Sequence, residues 1–265
     1  MGRSVSRAET FVDDVVIMVT VLVATRGRES LLPGCLASLL RQTMLDRTEI
    51  LVIHGPGGRD LEAVRSLEPC PAIRCIPAPR PGLYVAWNAG IDQARGRYLT
   101  TLNSDDRLRL DALAVMADAL DAHPDVCLVY GDSLVTDRPD ETFEHSSSNG
   151  RRLCWPEYSH RALLERCICG PHPMWRRAVH ARAGAFDETF QSEGDYEFWL
   201  RLAERERMLH LPEPLGLYYE NPAGLSRVSP ERAMRERVRI VQRYLHRYRD
   251  IVRTERWPPS RTPCC

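Results

Sequence analysis

Residues Val15 to Thr25 form a nearly continuous β-branched apolar run, the pattern of a strand buried on both faces. The polar residues 1–14 ahead of it read as a loose arm. Leu32, Cys35, Leu36 and Leu39 then recur at helical spacing, with Pro33 tolerated in the first turn. The alternation continues with a strand from Ile50 to Ile53, a short helix on Leu61, Val64 and Leu67, and a strand from Ile73 to Ile76. A helix from about Tyr84 to Arg95 and a strand from Tyr98 to Leu102 follow. Leu110, Leu113, Ala114, Ala117 and Leu120 mark the next helix, and Val126 to Tyr130 the next strand. Strands and helices in this order predict an α/β fold with a doubly wound, mostly parallel sheet. Such sheets bind ligands at the carboxyl ends of their strands. That singles out the loops at 24–29, 54–60 and 103–107.

The second half is less regular. Residues 131–170 carry polar loops and short strand signals, and Cys167-Ile168-Cys169 reads as alternating strand positions. A helix starts near Asp195, with Phe198, Trp199 and Leu202 facing inward. A last helix runs from about Pro230 to Arg256, and the two halves read as one continuous domain. In that helix Met234, Val238, Val241, Leu245, Tyr248 and Val252 make one apolar stripe among arginines. From residue 230 onward there are ten Arg against four acids, so this segment carries about +6. The stripe either packs on the domain, with the Arg face solvated, or lies on an anionic membrane as a peripheral contact.

Composition narrows the chemistry by exclusion. All 36 basic residues are Arg, so a Walker-type phosphate loop, a lysine Schiff base and a kinase lysine are absent. They balance 36 acids, and the neutral whole gives no general pull toward nucleic acid. Nine cysteines without a CxxC pair read as reduced thiols of a cytoplasmic protein rather than disulfides or a zinc site. The run Val15 to Ala24 is far short of a membrane span.

Asn103-Ser104-Asp105-Asp106-Arg107 follows a strand end. Its paired carboxylates suit Mg²⁺ or Mn²⁺, which prefer oxygen ligands and bridge diphosphates, or they cap a following helix. Asp195 is equally open at this level, as a helix N-cap or as a base. His172, alone in a loop, is a conceivable further metal ligand or phosphate contact. Trp175, Trp199 and Tyr196 either offer flat faces for a ligand to stack on or fill the core.

Several motifs occur in order. Thr20-Val21-Leu22-Val23-Ala24-Thr25-Arg26 is followed by Ser38-Leu39-Leu40-Arg41-Gln42-Thr43. Gly82-Leu83-Tyr84-Val85-Ala86-Trp87-Asn88-Ala89-Gly90 precedes the Asp105-Asp106 turn. Then come Arg176-Arg177, Gly184-Ala185-Phe186-Asp187-Glu188 and Asp195-Tyr196-Glu197-Phe198-Trp199-Leu200-Arg201. Across about residues 16–228 this series resembles the inverting family 2 glycosyltransferases.

The resemblance implies a GT-A (Rossmann-like) fold with a smaller acceptor-side region and a C-terminal helix. The implied layout is a catalytic domain over 15–229, with a nucleotide-sugar-binding half at 15–132 and an acceptor-binding half at 133–229. A basic amphipathic helix and tail occupy 230–265. It implies donor contacts from Ala24, Thr25, Arg26, His54, Tyr84, Asn88, Asn103 and Asp105, and acceptor-side contacts from Trp175, Arg176, Glu193 and Trp199. Asp106 and Asp105 would hold the divalent cation on a nucleotide-diphosphate sugar. Asp195 would deprotonate a hydroxyl of a glycan, lipid-linked or small-molecule acceptor. The setting implied is cytoplasmic, at most peripheral to the inner face of the membrane. His54 stands where the family usually carries Asp residues that contact the nucleotide base. The alternative is a catalytically impaired nucleotide- or glycan-binding module of the same fold.

Overall fold

Alternation along β1 (Val19–Thr25) divides the interior into two layers. Val19, Val21 and Val23 point to one face of the sheet and Leu22 to the other, as the two-residue period of a strand requires. The computed structural model describes residues 16–25, 30–55 and 70–254. The expected arm at 1–14, Arg26, residues 56–60, the short helix on Leu61, Val64 and Leu67, and the tail beyond 254 lie outside these described residues.

The remaining strands are β2 (Thr48–His54), β3 (Ile73–Pro77), β4 (Tyr98–Thr101), β5 (Arg107–Leu108), β6 (Val126–Thr136), β7 (Arg152–Leu153), β8 (Met174–Arg176) and β9 (Arg207–Tyr219). They form one sheet in the order β3-β2-β1-β4-β8-β6-β9-β5, with β7 paired to β6. The first four are mutually parallel. β8 runs antiparallel between β4 and β6, while β6 and β9 run parallel. The predicted parallel sheet is therefore present as its first half, and β8 reverses direction before it continues. β6 runs through Thr136, six residues past its expected end. Cys167-Ile168-Cys169 is irregular rather than a strand.

Helices α1 (Leu32–Leu40) and α3 (Ala112–Ala122) cover one face. Their Leu32, Cys35, Leu36, Leu39, Leu113, Met116, Ala117 and Leu120 pack on the β1 valines. Leu110, expected on the inner side of α3, lies before the helix and is exposed. The other face takes α2 (Leu83–Gln93), α4 (His160–Glu165), α5 (Gly194–Ala203) and α6 (Pro230–Thr254). Among the described residues no helix is long and apolar enough to cross a membrane.

α6 has two apolar faces where the sequence suggested one. Ala233, Ile240, Tyr244 and Tyr248 are buried, and the last three join the core with half-buried Val241 and Val252. Met234, Val238 and Leu245 are exposed. The arginines are not a purely solvated face either. Arg237 pairs with Glu193, Arg243 with Glu197, and Arg247 with Glu204. α6 thus packs into the same core cluster as α2, α4 and α5. Replacing Ile240 by Ala should destabilise the fold by about 3 kcal/mol, the usual cost of such a core truncation. Urea denaturation measures it, and a change below about 0.5 kcal/mol would mean that α6 does not contribute to the core.

Candidate active site

The parallel strands β1, β2 and β4 end at one edge. Thr25 at the end of β1 is in register with His54 at the end of β2. Leu102, just past β4, donates its N–H to the Leu22 carbonyl at 3.1 Å. Ala24, Thr25, His54 and the 103–106 turn therefore share the carboxyl edge, where open α/β sheets bind ligands. The Thr25 hydroxyl is buried there with no hydrogen-bond partner among the described residues. His54 is half-buried, with Nδ1 3.1 Å from the Gly55 carbonyl.

The paired carboxylates are held in different ways. Asp106 is buried. Its Oδ1 accepts the Tyr219 N–H at 3.0 Å, and its Oδ2 accepts the Asn103 amide at 3.0 Å. Half-buried Asp105 accepts the Asn221 amide at 2.7 Å. Buried Arg107 donates to the Asp106 carbonyl at 2.8 Å and steadies the turn. Helix α3 is capped at Asp111, so neither carboxylate serves as its N-cap. His172 brings Nε2 to 3.3 Å from Asp106 Oδ2, and among the described residues the ring makes no well-directed hydrogen bond. It is wedged against β9, where a Cβ on Gly216 would lie 2.4 Å from its Nδ1.

Among the described residues no three His, Cys, Asp or Glu side chains converge as a complete metal cage. The donors present still fit a small hard cation. Mg²⁺ or Mn²⁺ is commonly held by one or two carboxylates, with phosphates and water completing the shell. Asn221 and Tyr219 escaped the sequence reading. The Asn-Pro step that ends a tyrosine-rich strand was their only local signal.

Asp195 lies in the first turn of α5. Its Oδ1 accepts the Tyr196 N–H at 2.9 Å and the Tyr84 hydroxyl at 3.2 Å. Both bonds fall on the same oxygen. Tyr84 is in the first turn of α2, directly after the loop that leaves β3. The bond therefore brings Asp195 to the carboxyl edge of the sheet. Gly194 permits the approach, because a Cβ there would lie 2.7 Å from the Tyr84 ring. Burial pushes the Asp195 carboxyl above its ordinary pKa, while the Tyr196 N–H and the Tyr84 hydroxyl pull it back. Glu193 occupies the N-cap position without a side-chain cap bond, so Asp195 is not the N-cap.

Residues 191–193 are braced from α6. The Glu236 carboxylate accepts the N–H groups of Gln191, Ser192 and Glu193 at 2.9–3.0 Å. Arg237 pairs with Glu193 at 3.1 Å. Burial raises the Glu193 carboxyl, and Arg237 opposes that shift.

Several expected contacts have other roles. Tyr84 is buried against Asp195 rather than open to a donor. The Asn88 amide donates to the Phe186 carbonyl at 3.0 Å and accepts the Phe186 N–H at 2.9 Å, so it is a latch and not a donor contact. Trp175 and Trp199 are fully buried and pack edge to face, with centroids 5.2 Å apart, so neither offers a face to an acceptor. Tyr196 is buried as well and donates its hydroxyl to the Leu164 carbonyl. Arg176 pairs with Tyr98, at the amino end of β4. Its guanidinium binds the carbonyls of Leu120, His123 and Val126, at the edge opposite the site.

Replacing Tyr84 by Phe removes a donor to the charged form of Asp195. The carboxyl pKa should then rise further, since the charged form loses support. Carboxyl-carbon NMR titration of labelled Asp measures it, and an unmoved or lowered midpoint would discount the Tyr84 bond.

Comparisons with known proteins identify the family and the fold. The family described as Glycosyl transferase family 2 matches residues 20–227. A PGL/p-HBAD biosynthesis glycosyltransferase of Mycobacterium tuberculosis is 28% identical over 248 residues, covering 91% of both chains. A chondroitin synthase of Pasteurella multocida is 28% identical over 196 residues, covering 73% of this chain and 20% of the longer protein. In fold, S. aureus TarS in complex with UDP-GlcNAc has a TM-score of 0.64 at 17% identity, over 87% of this chain and 72% of that one. The mannosyltransferase PcManGT from Pyrobaculum calidifontis, in complex with GDP-Man and Mn²⁺, has a TM-score of 0.61 at 19% identity, over 91% and 66%. With its GT-A architecture and a family match over most of its length, the chain belongs to glycosyl transferase family 2 and is a glycosyltransferase.

Proposed function

We propose that this enzyme moves a sugar from a nucleotide-diphosphate sugar to an acceptor hydroxyl with inversion at the anomeric carbon. The observation that carries the reading is the Asp195 carboxylate. It is held through Oδ1, raised in pKa by burial, and brought by Tyr84 to the edge where Asp105 and Asp106 stand. A raised carboxyl is a stronger base once ionised, and a positioned base contributes about 10²–10⁴ in rate. Oδ2 takes the proton of the acceptor hydroxyl, whose oxygen bonds to the anomeric carbon as the bond to the leaving diphosphate breaks on the opposite face.

Ala24, Thr25 and His54 receive the nucleoside, with the unpartnered Thr25 hydroxyl as one polar contact and His54 beside the base. Asp106 and Asp105 would hold Mg²⁺ or Mn²⁺, with His172 a neighbour of the former. A divalent cation there supplies charge neutralisation for the departing diphosphate. Glu193 and Asn103 act by position, one on the base-bearing turn and the other on Asp106. The acceptor is a hydroxyl of a glycan, a lipid-linked sugar or a small molecule. The relatives' names, from PGL/p-HBAD biosynthesis to chondroitin synthase, support that range. Cys35, Cys127 and Cys169, buried as thiols, support action in a reducing cytoplasm.

Asp195→Asn should lower transfer by about 10²–10⁴ and leave nucleoside diphosphate affinity unchanged by calorimetry. Wild-type transfer should fall as pH drops through the raised Asp195 pKa, because the protonated acid cannot act as base. Transfer by Asp195→Asn within tenfold of wild type would remove Asp195 from the mechanism. Asp106→Ala should abolish the Mn²⁺-dependent part of nucleoside diphosphate binding, and unchanged affinity would leave the turn without a metal role. Proton NMR of the product should give a β-linked sugar from an α-linked donor. An α product would exclude inversion.

A further inference from the structure

Exposed large apolar side chains are unevenly spread. Seven occur among the described residues, and five of them, Leu225, Val228, Met234, Val238 and Leu245, lie between 225 and 245. Val228 is 67% exposed and Met234 58%. Met234, Val238 and Leu245 are separated by four and seven residues and form one outward stripe on α6, beside the face that enters the core. Their exposure does not follow from an underfilled interior, because Ile240, Tyr244 and Tyr248 already fill the inner face.

Charge along this face separates by direction. Arg237, Arg243 and Arg247 turn inward to carboxylates of the domain. Arg235, Gln242 and Arg249 follow the outward stripe at seven-residue steps, with Arg253 one turn further, and all four are exposed. Arg232 and Arg239 stand behind that row and reach Gln191 and Thr189. The acids on this side of the helix are Glu231, 4.0 Å from Arg235 with both exposed, and Asp250. An exposed pair of that kind contributes little and is screened by salt. The outward face is thus an apolar ridge with a predominantly cationic flank.

We propose that this face, from Leu225 to Arg253, docks on an anionic lipid surface. A second copy paired through the same stripe would bring one Arg row against another, and like charges disfavour that contact. Helical peptides are usually received by concave grooves, whereas the outer side of α6 is a convex ridge. Apolar side chains at the acyl boundary with arginines at the headgroups match the chemistry of an interfacial helix. The docking face begins close to the site. Leu225 is four residues after Asn221, which holds Asp105, so at most about 14 Å of extended chain separates them. Docking would therefore keep Asp105 near the bilayer surface, where a lipid-borne hydroxyl would be found.

Flotation of the full-length protein with vesicles tests the proposal. The vesicles are phosphatidylcholine alone or phosphatidylcholine with phosphatidylglycerol, at low and high salt. The protein should float with the anionic vesicles at low salt and largely stay behind with the neutral ones. Val238→Asp with Leu245→Asp, and separately Arg235→Glu with Arg249→Glu, should each reduce binding by about tenfold or more. All four positions are exposed, so the fold should persist, as circular dichroism and transfer to a water-soluble acceptor would verify. That transfer should stay at the wild-type rate, which separates failure of docking from failure of the catalytic reading. Three results would each overturn the proposal: no flotation of wild type at low salt, a dimer in sedimentation velocity that Val238→Asp disperses, or binding to poly-glutamate as tight as to anionic vesicles.

Discussion

A single hydrogen bond, from the Tyr84 hydroxyl to Asp195 Oδ1, joins residues 111 positions apart and fixes where the Asp195 carboxylate stands. The rest of the site is organised around keeping that bond possible. Tyr84 is buried beside Trp87 and Phe186, and Asn88, one turn later on α2, grips both backbone groups of Phe186. Helix α2 thus holds the segment that leads to α5. A carboxylate so placed has one oxygen held by two donors. Burial raises its pKa, and the two donors oppose that shift.

The second brace comes from α6. Three N–H groups of the turn before Asp195 end on the single carboxylate of Glu236. Deeper in the interface, Glu197 is buried yet meets Arg201, Arg243 and the Tyr244 hydroxyl. A buried acid is tolerable only when paired and hydrogen-bonded in this way. These contacts explain why so basic a helix can lie on the domain. Several of its arginines answer acids that α5 and the preceding turn would otherwise carry unbalanced.

Most of the sheet was legible because β-branched runs and helical spacing are local signals. β1, α1, β2, β3, α2 and β4 fall close to where the periodicity puts them. The reversed strand β8 was not legible, since three residues at Met174–Arg176 carry no periodicity and their direction is decided by pairing with β4 and β6. At the site, Asp105, Asp106 and Asp195 were marked by their motifs. The roles of aromatic and amide residues were not legible in this way, because a Trp suited to stacking on a sugar is equally suited to a core. Burial settled that for Trp175 and Trp199, and backbone partners settled it for Asn88 and Arg176. Asn221 was missed because its meaning depends on a bond to Asp105, 116 positions earlier. The double-faced character of α6 was hidden for a similar reason. Its two apolar faces lie side by side on the helix, and only the packed domain distinguishes them.

The bracing by Glu236 and Arg237 also bears on how the enzyme comes into being. A chain emerges from the ribosome amino end first, at about 5–20 residues per second, and domains fold as units. The parallel strands and the Asp105-Asp106 turn are made well before α6. The turn at 191–193 is made before it too, but lacks the carboxylate that will collect its N–H groups. The nascent protein therefore acquires the carboxyl edge of its parallel strands early and the fully braced turn before Asp195 late. Until α6 has emerged and docked, three N–H groups of that turn lack the Glu236 carboxylate as their acceptor.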